Sequence, residues 1–189
     1  MKIKTLVGLT GAAAASLAGT AALAATPAGA GGNGAQSVPL SQLNAMVGEL
    51  LPPGALNGDG GPNITITGDC PSFLFSAALG FEFLPGASAH VNRIDPVTGP
   101  NNANAAGIAV LLADGAPTAY TGQAHAWFGT NVNPNGRQWF GSTISFSGTA
   151  ADGSTVSFST NPGGSINPTT GKGNGWGQVT VTCTPATTG

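Results

Sequence analysis

The residues with the clearest chemical character lie between positions 123 and 141. The tripeptide Trp-Phe-Gly occurs at 127–129 and again at 139–141, on either side of Asn133-Pro134-Asn135-Gly136. Gln123 and His125 precede the first copy, and Arg137 precedes the second. Successive side chains of a strand point to opposite faces. Gln123, His125 and Trp127 therefore share one face, against Tyr120, Ala124, Ala126 and Phe128. In the second copy Arg137, Trp139, Thr143 and Ser145 oppose Phe140, Ile144 and Phe146. The intervening turn suits a type I turn with Gly136 in the left-handed position, so that Asn133 faces Arg137 and Asn131 faces Trp139. That register puts both tryptophans on one face, and a slip of one residue would reverse the assignment. Trp176 aligns with Gln178, Thr180 and Thr182, against Val179 and Val181, so all three tryptophans fall on polar faces.

Flat rings interleaved with amide, imidazole and guanidinium groups suit a sugar. The ring covers the C–H face of a pyranose while the polar groups satisfy its hydroxyls. The same rings could anchor a protein partner. The expected ligand-binding set is Trp127, Trp139, His125, Gln123, Arg137 and Trp176. The competing expectation is that the N-terminal helix, or a long loop, packs over these rings, because tryptophan is usually largely buried.

Other chemistry has less support. No Gly-x-Ser-x-Gly elbow occurs, and neither His90 nor His125 has an acidic neighbour in sequence. A carboxylate pair for glycoside hydrolysis would come from Glu49, Asp59, Asp69, Glu82, Asp95, Asp114 and Asp152. Most of these sit in turn contexts, where aspartate serves the backbone, and Glu82 reads as a solvent-facing strand residue. The stretch 57–63, NGDGGPN, lacks the regular ligands and closing glutamate of an EF-hand loop. No phosphate loop or dinucleotide fingerprint is present, and no cofactor or metal is expected. Catalytic residues: none are assigned.

Two cysteines, Cys70 and Cys183, have one intramolecular pairing open to them, and a disulfide is expected. Lys2 and Lys4, the Ala-rich run to Leu23 and the Ala22-Leu23-Ala24 pattern read as a secretory signal peptide over 1–24, with cleavage after 30 as the alternative. The product would be secreted or associated with the cell envelope. Beyond that segment remain Arg93, Arg137 and Lys172 against seven acids, a net charge of about −4 at neutral pH. Such a chain lacks the positive footprint that nucleic acid or an anionic membrane requires. No later run reaches the roughly 18 apolar residues of a transmembrane helix.

The elements that must position these residues follow from the pattern. Residues 25–38 read as a flexible linker and 39–184 as a single domain, followed by a disordered tail over 185–189. Leu40, Leu43, Met46, Val47, Leu50 and Leu51 recur at spacings of three and four, predicting an N-terminal amphipathic helix over 39–51 between Pro39 and Pro52-Pro53. From Asn63 the period becomes two. The spacing predicts strands at 64–70, at 73–83 with a bend at Gly80, and in "ASAHVNRI", "AGIAVLLA", "PTAYTGQAHAWF", "RQWFGSTISFSGTA", "STVSFST" and "GWGQVTVTC". Segments 92–107 and 161–175 read as long polar loops. The expected fold is mainly β: an antiparallel β-sandwich of about 7–9 strands with one short helix. The function expected is non-enzymatic binding of a polysaccharide or protein partner through an aromatic sheet face. The alternatives are a self-assembling structural subunit, an outer-membrane barrel component and an extracellular hydrolase.

Overall fold

The computed structural model describes residues 34–57, 63–93 and 101–186. The expected signal peptide, most of the expected linker, and Asp59 and Asp95 lie outside the described residues. The last three residues of the expected tail do so too.

The fold is mainly β, as the alternation implies. Eleven strands are found among the described residues: β1 (Gly34–Val38), β2 (Ile64–Thr67), β3 (Leu79–Phe83), β4 (Ser88–Arg93), β5 (Asn101–Ala113), β6 (Ala116–Val132), β7 (Gln138–Thr149), β8 (Thr155–Thr160), β9 (Gly163–Ile166), β10 (Gly173–Trp176) and β11 (Val179–Thr184). Two short helices accompany them, α1 (Leu40–Met46) and α2 (Phe73–Ser76). All strands join one sheet, whose main path runs β1-β4-β5-β6-β7-β8-β11-β2. β3 and β4 sit end to end along one edge of β5, while β8 and β9 divide the far edge of β7.

The sheet is strongly curled. β3 is three pairing steps from β7 and four from β8. In a flat sheet those strands would stand roughly 14 and 19 Å apart, at about 4.8 Å per step. Yet the Phe81 ring stacks on Phe146 at 5.7 Å and on Phe158 at 6.2 Å between centroids. Only curling brings those rings together. The concave side thus encloses the core, in which Phe81, Phe83, Phe146, Phe158, Leu111 and Ile144 are almost wholly inaccessible. The layers expected as two sheets are here joined by hydrogen bonds into a single one.

Helix α1 ends at Met46, well short of the expected Leu51, and Leu43 and Val47 on its stripe reach the core. The chain then extends, and the Leu50 and Leu51 N–H groups both donate to the Leu79 carbonyl, at 2.9 and 3.0 Å. Asn44 completes the cover of that edge: its amide nitrogen donates to the Phe83 carbonyl, and its oxygen accepts the Phe83 N–H, each at 3.0 Å. A side-chain amide and two backbone groups thereby satisfy polar atoms that an uncovered strand edge would expose.

The strand expected over 73–83 divides in two. Pro71-Ser72 opens a helical turn, the Ser76 hydroxyl donates back to the Ser72 carbonyl at 3.0 Å, and Leu74 turns inward. Only Leu79–Phe83 is extended, with Glu82 pointing outward as expected. Both expected long loops contain strands: 101–107 is the start of β5, and 161–175 folds into the β9–β10 hairpin. The end of the expected linker, 34–38, forms β1 on β4. The expected last strand breaks after Trp176, so that β10 pairs with β9 and β11 with β8 and β2.

Cys70 and Cys183 are bonded, 113 residues apart in sequence. The bridge ties the chain leaving β2 to β11, its parallel neighbour, rather than one sheet to another. Closing a loop of this length is worth on the order of 4–5 kcal/mol by the loop-entropy argument. The approach is close enough to require glycine nearby: Gly68 has φ 85°, and a Cβ there would meet the Cys183 carbonyl oxygen.

Candidate aromatic binding face

The β6–β7 turn forms in the anticipated register. The Asn133 N–H donates to the Arg137 carbonyl and the Gly136 N–H to the Asn133 carbonyl, both at 2.8 Å, and Gly136 has φ 78°. Asn131 pairs with Trp139, Trp127 with Thr143, and His125 with Ser145. Odd positions therefore share the outer, convex face of β6 and β7, and even positions face the core. Phe128 is buried accordingly. Phe140 points the same way but is only half-buried, because it lies at the rim, its ring over Gly164.

All six residues of the expected set lie on the convex face. Gln123, His125 and Trp127 run along β6, and Arg137 precedes Trp139 at the start of β7. Trp176 joins them two strands away: Trp139 pairs with Ser165 on β9, Gly141 with Gly163, and Gly163 in turn with Trp176 on β10. The Trp127 and Trp139 ring centroids are 6.1 Å apart with planes inclined at 48°. Both rings are half-buried, and Trp176 remains 45% exposed. Helix α1 packs against β3 and β4, with its apolar stripe in the core, so it does not cover these rings.

What holds the rings in place is a row of glycines that the sequence reading did not single out. Gly129, Gly141 and Gly163 are successive cross-strand partners on β6, β7 and β9. A Cβ at Gly129 would stand 2.5 Å from the Trp127 ring, one at Gly141 3.0 Å from Trp139, and one at Gly163 2.6 Å from Trp176. Each indole thus occupies space beside a bare backbone that a side chain would otherwise fill. The repeated Trp-Phe-Gly contained part of this signal, because a glycine two residues after a tryptophan shares its strand face. Trp176 finds its glycine on another strand, and no spacing in the sequence discloses that.

Beside the rings, one residue pair along each strand, stands a polar cluster. Arg137 Nε donates to Ser165 Oγ at 2.8 Å and Nη2 to Asn174 Oδ1 at 2.8 Å, while Ser165 Oγ donates to Asn174 Oδ1 at 2.7 Å. His125 is half-buried between Gln123 and Trp127. His90 lies on the same face two strands from Trp127, aligned with it through Asn104, with Nδ1 3.4 Å from the Ser37 hydroxyl.

Two of the described carboxylates, at the other end of these strands, serve the backbone. Asp114 accepts the Ala78 N–H at 2.9 Å. Asp152 accepts the Ser154 hydroxyl at 2.6 Å and the Ser154 N–H at 2.9 Å, and the Ser154 hydroxyl stands 3.2 Å from Tyr120 Oη. The hydroxyl bond first, then the N–H bond, hold the Asp152 carboxyl below its ordinary 3.8. Asp69 and Asp152 line a shallow pocket beside the disulfide, at the opposite end of β6 and β7 from the tryptophans. Among the described residues, no group of three or more His, Cys, Asp or Glu side chains is arranged to hold a metal. No described helix is long and apolar enough to cross a membrane. No family model, curated protein or solved structure matches the chain.

Proposed function

We propose that this is a secreted, non-enzymatic binding protein of the cell envelope or extracellular space, and that its ligand is a polysaccharide held on the convex face. The supporting observation is the glycine-floored row of Trp127, Trp139 and Trp176. Three indoles that rest against glycine backbone and stay partly exposed supply ring surface on one face of the sheet, and such surface stacks on sugar C–H faces. Gln123, His125 and Arg137 stand on the same face to meet hydroxyls. In this reading the two halves of the curled sheet act as the layers of a sandwich, a rigid support that keeps the rings from reorienting.

The test is a titration with isolated cell-wall polysaccharides followed by tryptophan fluorescence. Trp139→Ala is expected to lose binding while its circular dichroism and unfolding remain cooperative. Loss of the fold in that variant, or unchanged binding, would remove the platform from the account.

A second reading, self-assembly of copies through sheet edges, draws on β2. This edge strand of four residues leaves Ile66 48% exposed. Size-exclusion chromatography at high concentration separates the two, since assembly predicts oligomers and ligand binding alone does not.

A further inference from the structure

The charges of the chain are sorted along the strands. Arg137 follows the β6–β7 turn, and Lys172 closes the β9–β10 hairpin, where its carbonyl accepts the Asn167 N–H at 2.8 Å. The described acids lie toward the other end. Asp114 is in the β5–β6 turn and Asp152 in the β7–β8 turn, while Asp69 lines the pocket there. Glu82 aligns with Val110 and Thr121, and Glu49 adjoins Leu50, whose N–H meets Leu79. Among the described residues, Arg137 and Lys172 therefore stand at the tryptophan end, away from the acids.

Arg137 is also built as a receptor group rather than an ion-pair partner. Ser165 and Asn174 take the Nε and one Nη2 hydrogen, occupying one edge of the guanidinium with neutral oxygens. Among the described residues no carboxylate reaches it. The edge between Nη1 and Nη2 keeps two parallel N–H groups, the fork that a carboxylate accepts bidentately. The hydrogen-bonded triangle holds that fork in one orientation, two residues from Trp139 on one strand and opposite Asn174, two residues from Trp176, on another. Little ordering is then left for the moment of binding.

From these features we infer that the ligand of the aromatic face is an acidic polysaccharide, with the tryptophans stacking on its sugar rings and Arg137 taking the carboxylate of a uronate unit. The inference rests on the platform reading above and adds the charge class of the sugar. The segregated charges would also turn the tryptophan end toward an anionic polymer during approach, an effect that salt screens.

The experiment compares polygalacturonate with the neutral polymer made from it by reducing its carboxyl groups. Both are titrated against the full chain at low and high salt, with tryptophan fluorescence as the readout. The wild type is expected to bind the acidic polymer on the order of tenfold more tightly at low salt. Arg137→Gln should abolish the preference, so that the variant binds the acidic and the neutral polymer equally, and its circular dichroism and cooperative unfolding show that it is folded. Arg137→Lys, which keeps the charge without the fork, should fall between. Equal affinity of the wild type for the two polymers, or an acidic preference that survives Arg137→Gln, overturns this inference and leaves the platform intact. Failure of both polymers to bind removes both readings.

Discussion

The two faces of β6 and β7 carry aromatic rings supported in opposite ways. On the concave face Phe146 meets Phe158, its cross-strand partner on β8, at 6.0 Å, and Phe81, brought in by the curl of the sheet, at 5.7 Å. On the convex face Trp127, Trp139 and Trp176 rest on Gly129, Gly141 and Gly163, in the plane of their own sheet. Rings that pack on rings from across a fold exclude water on all sides and hold the curl together. Rings set against glycine stay partly exposed, and in the proposed function that exposed part meets the ligand. Residue type alone does not separate these roles, since both sets are large and aromatic. What separates them is whether the opposing surface is another strand's side chain or bare backbone.

Breaking the concave side should have the largest effect. Phe81→Ala removes a ring that contacts Phe83, Phe146 and Phe158, and should lower unfolding free energy by about 3–5 kcal/mol. Chemical denaturation measures it, and a loss below about 1 kcal/mol would mean that these rings do not sustain the curl.

The convex side should respond in binding more than in stability. Gly129→Ala places a methyl 2.5 Å from the Trp127 ring, which must lift from the sheet. We expect about 1–3 kcal/mol of destabilisation, a changed near-ultraviolet dichroism and weakened polysaccharide binding. Adding Trp127→Ala should relieve part of that stability loss, and a double-mutant cycle with no coupling would show that the ring does not lie on Gly129.

The smallest effect lies away from both faces, at Asp152. Its carboxyl, hydrogen-bonded by Ser154, titrates lower in the folded chain than in the unfolded one. Its contribution is therefore present above the ordinary carboxylate value near 3.8 and is lost as pH falls through the depressed folded value. Asp152→Ala should flatten the acid limb of stability slightly and leave the tryptophan face unaltered. Denaturation midpoints across that limb for the two proteins provide the check, and superimposable curves would contradict it.

Legibility varied with how local the determining physics was. The parity of Trp127, Phe128, Trp139 and Phe140 could be read because a tight turn pins the register of the strands beside it. Segment 73–76 misled because Phe73 and Phe75 alternate around Leu74 as strand residues would, while Pro71-Ser72 favours a helical turn. Strand residues 101–107 were hidden by composition: Asn102 and Asn104 alternate with Ala103 and Ala105, but asparagine is also a turn former and alanine a weak marker of burial. Ser165 and Asn174 could not be joined to Arg137 beforehand, because they belong to a Gly-rich hairpin with little side-chain pattern.

By itself the sequence determined the predominance of strands, the pairing of its two cysteines, the β6–β7 turn and the face on which each tryptophan near that turn stands. These follow from side-chain alternation, from the chemistry of a lone cysteine pair and from turn geometry, all of which act over a few residues or admit one solution. The tertiary structure alone decided the single curled sheet, the seat of α1 on β3 and β4, the glycine beneath Trp176 and the placing of Arg137 and Lys172 together at the tryptophan end. Each of those depends on which strands lie side by side. Pairing between distant segments is selected by the packing of the whole chain, and no short window of residues contains it.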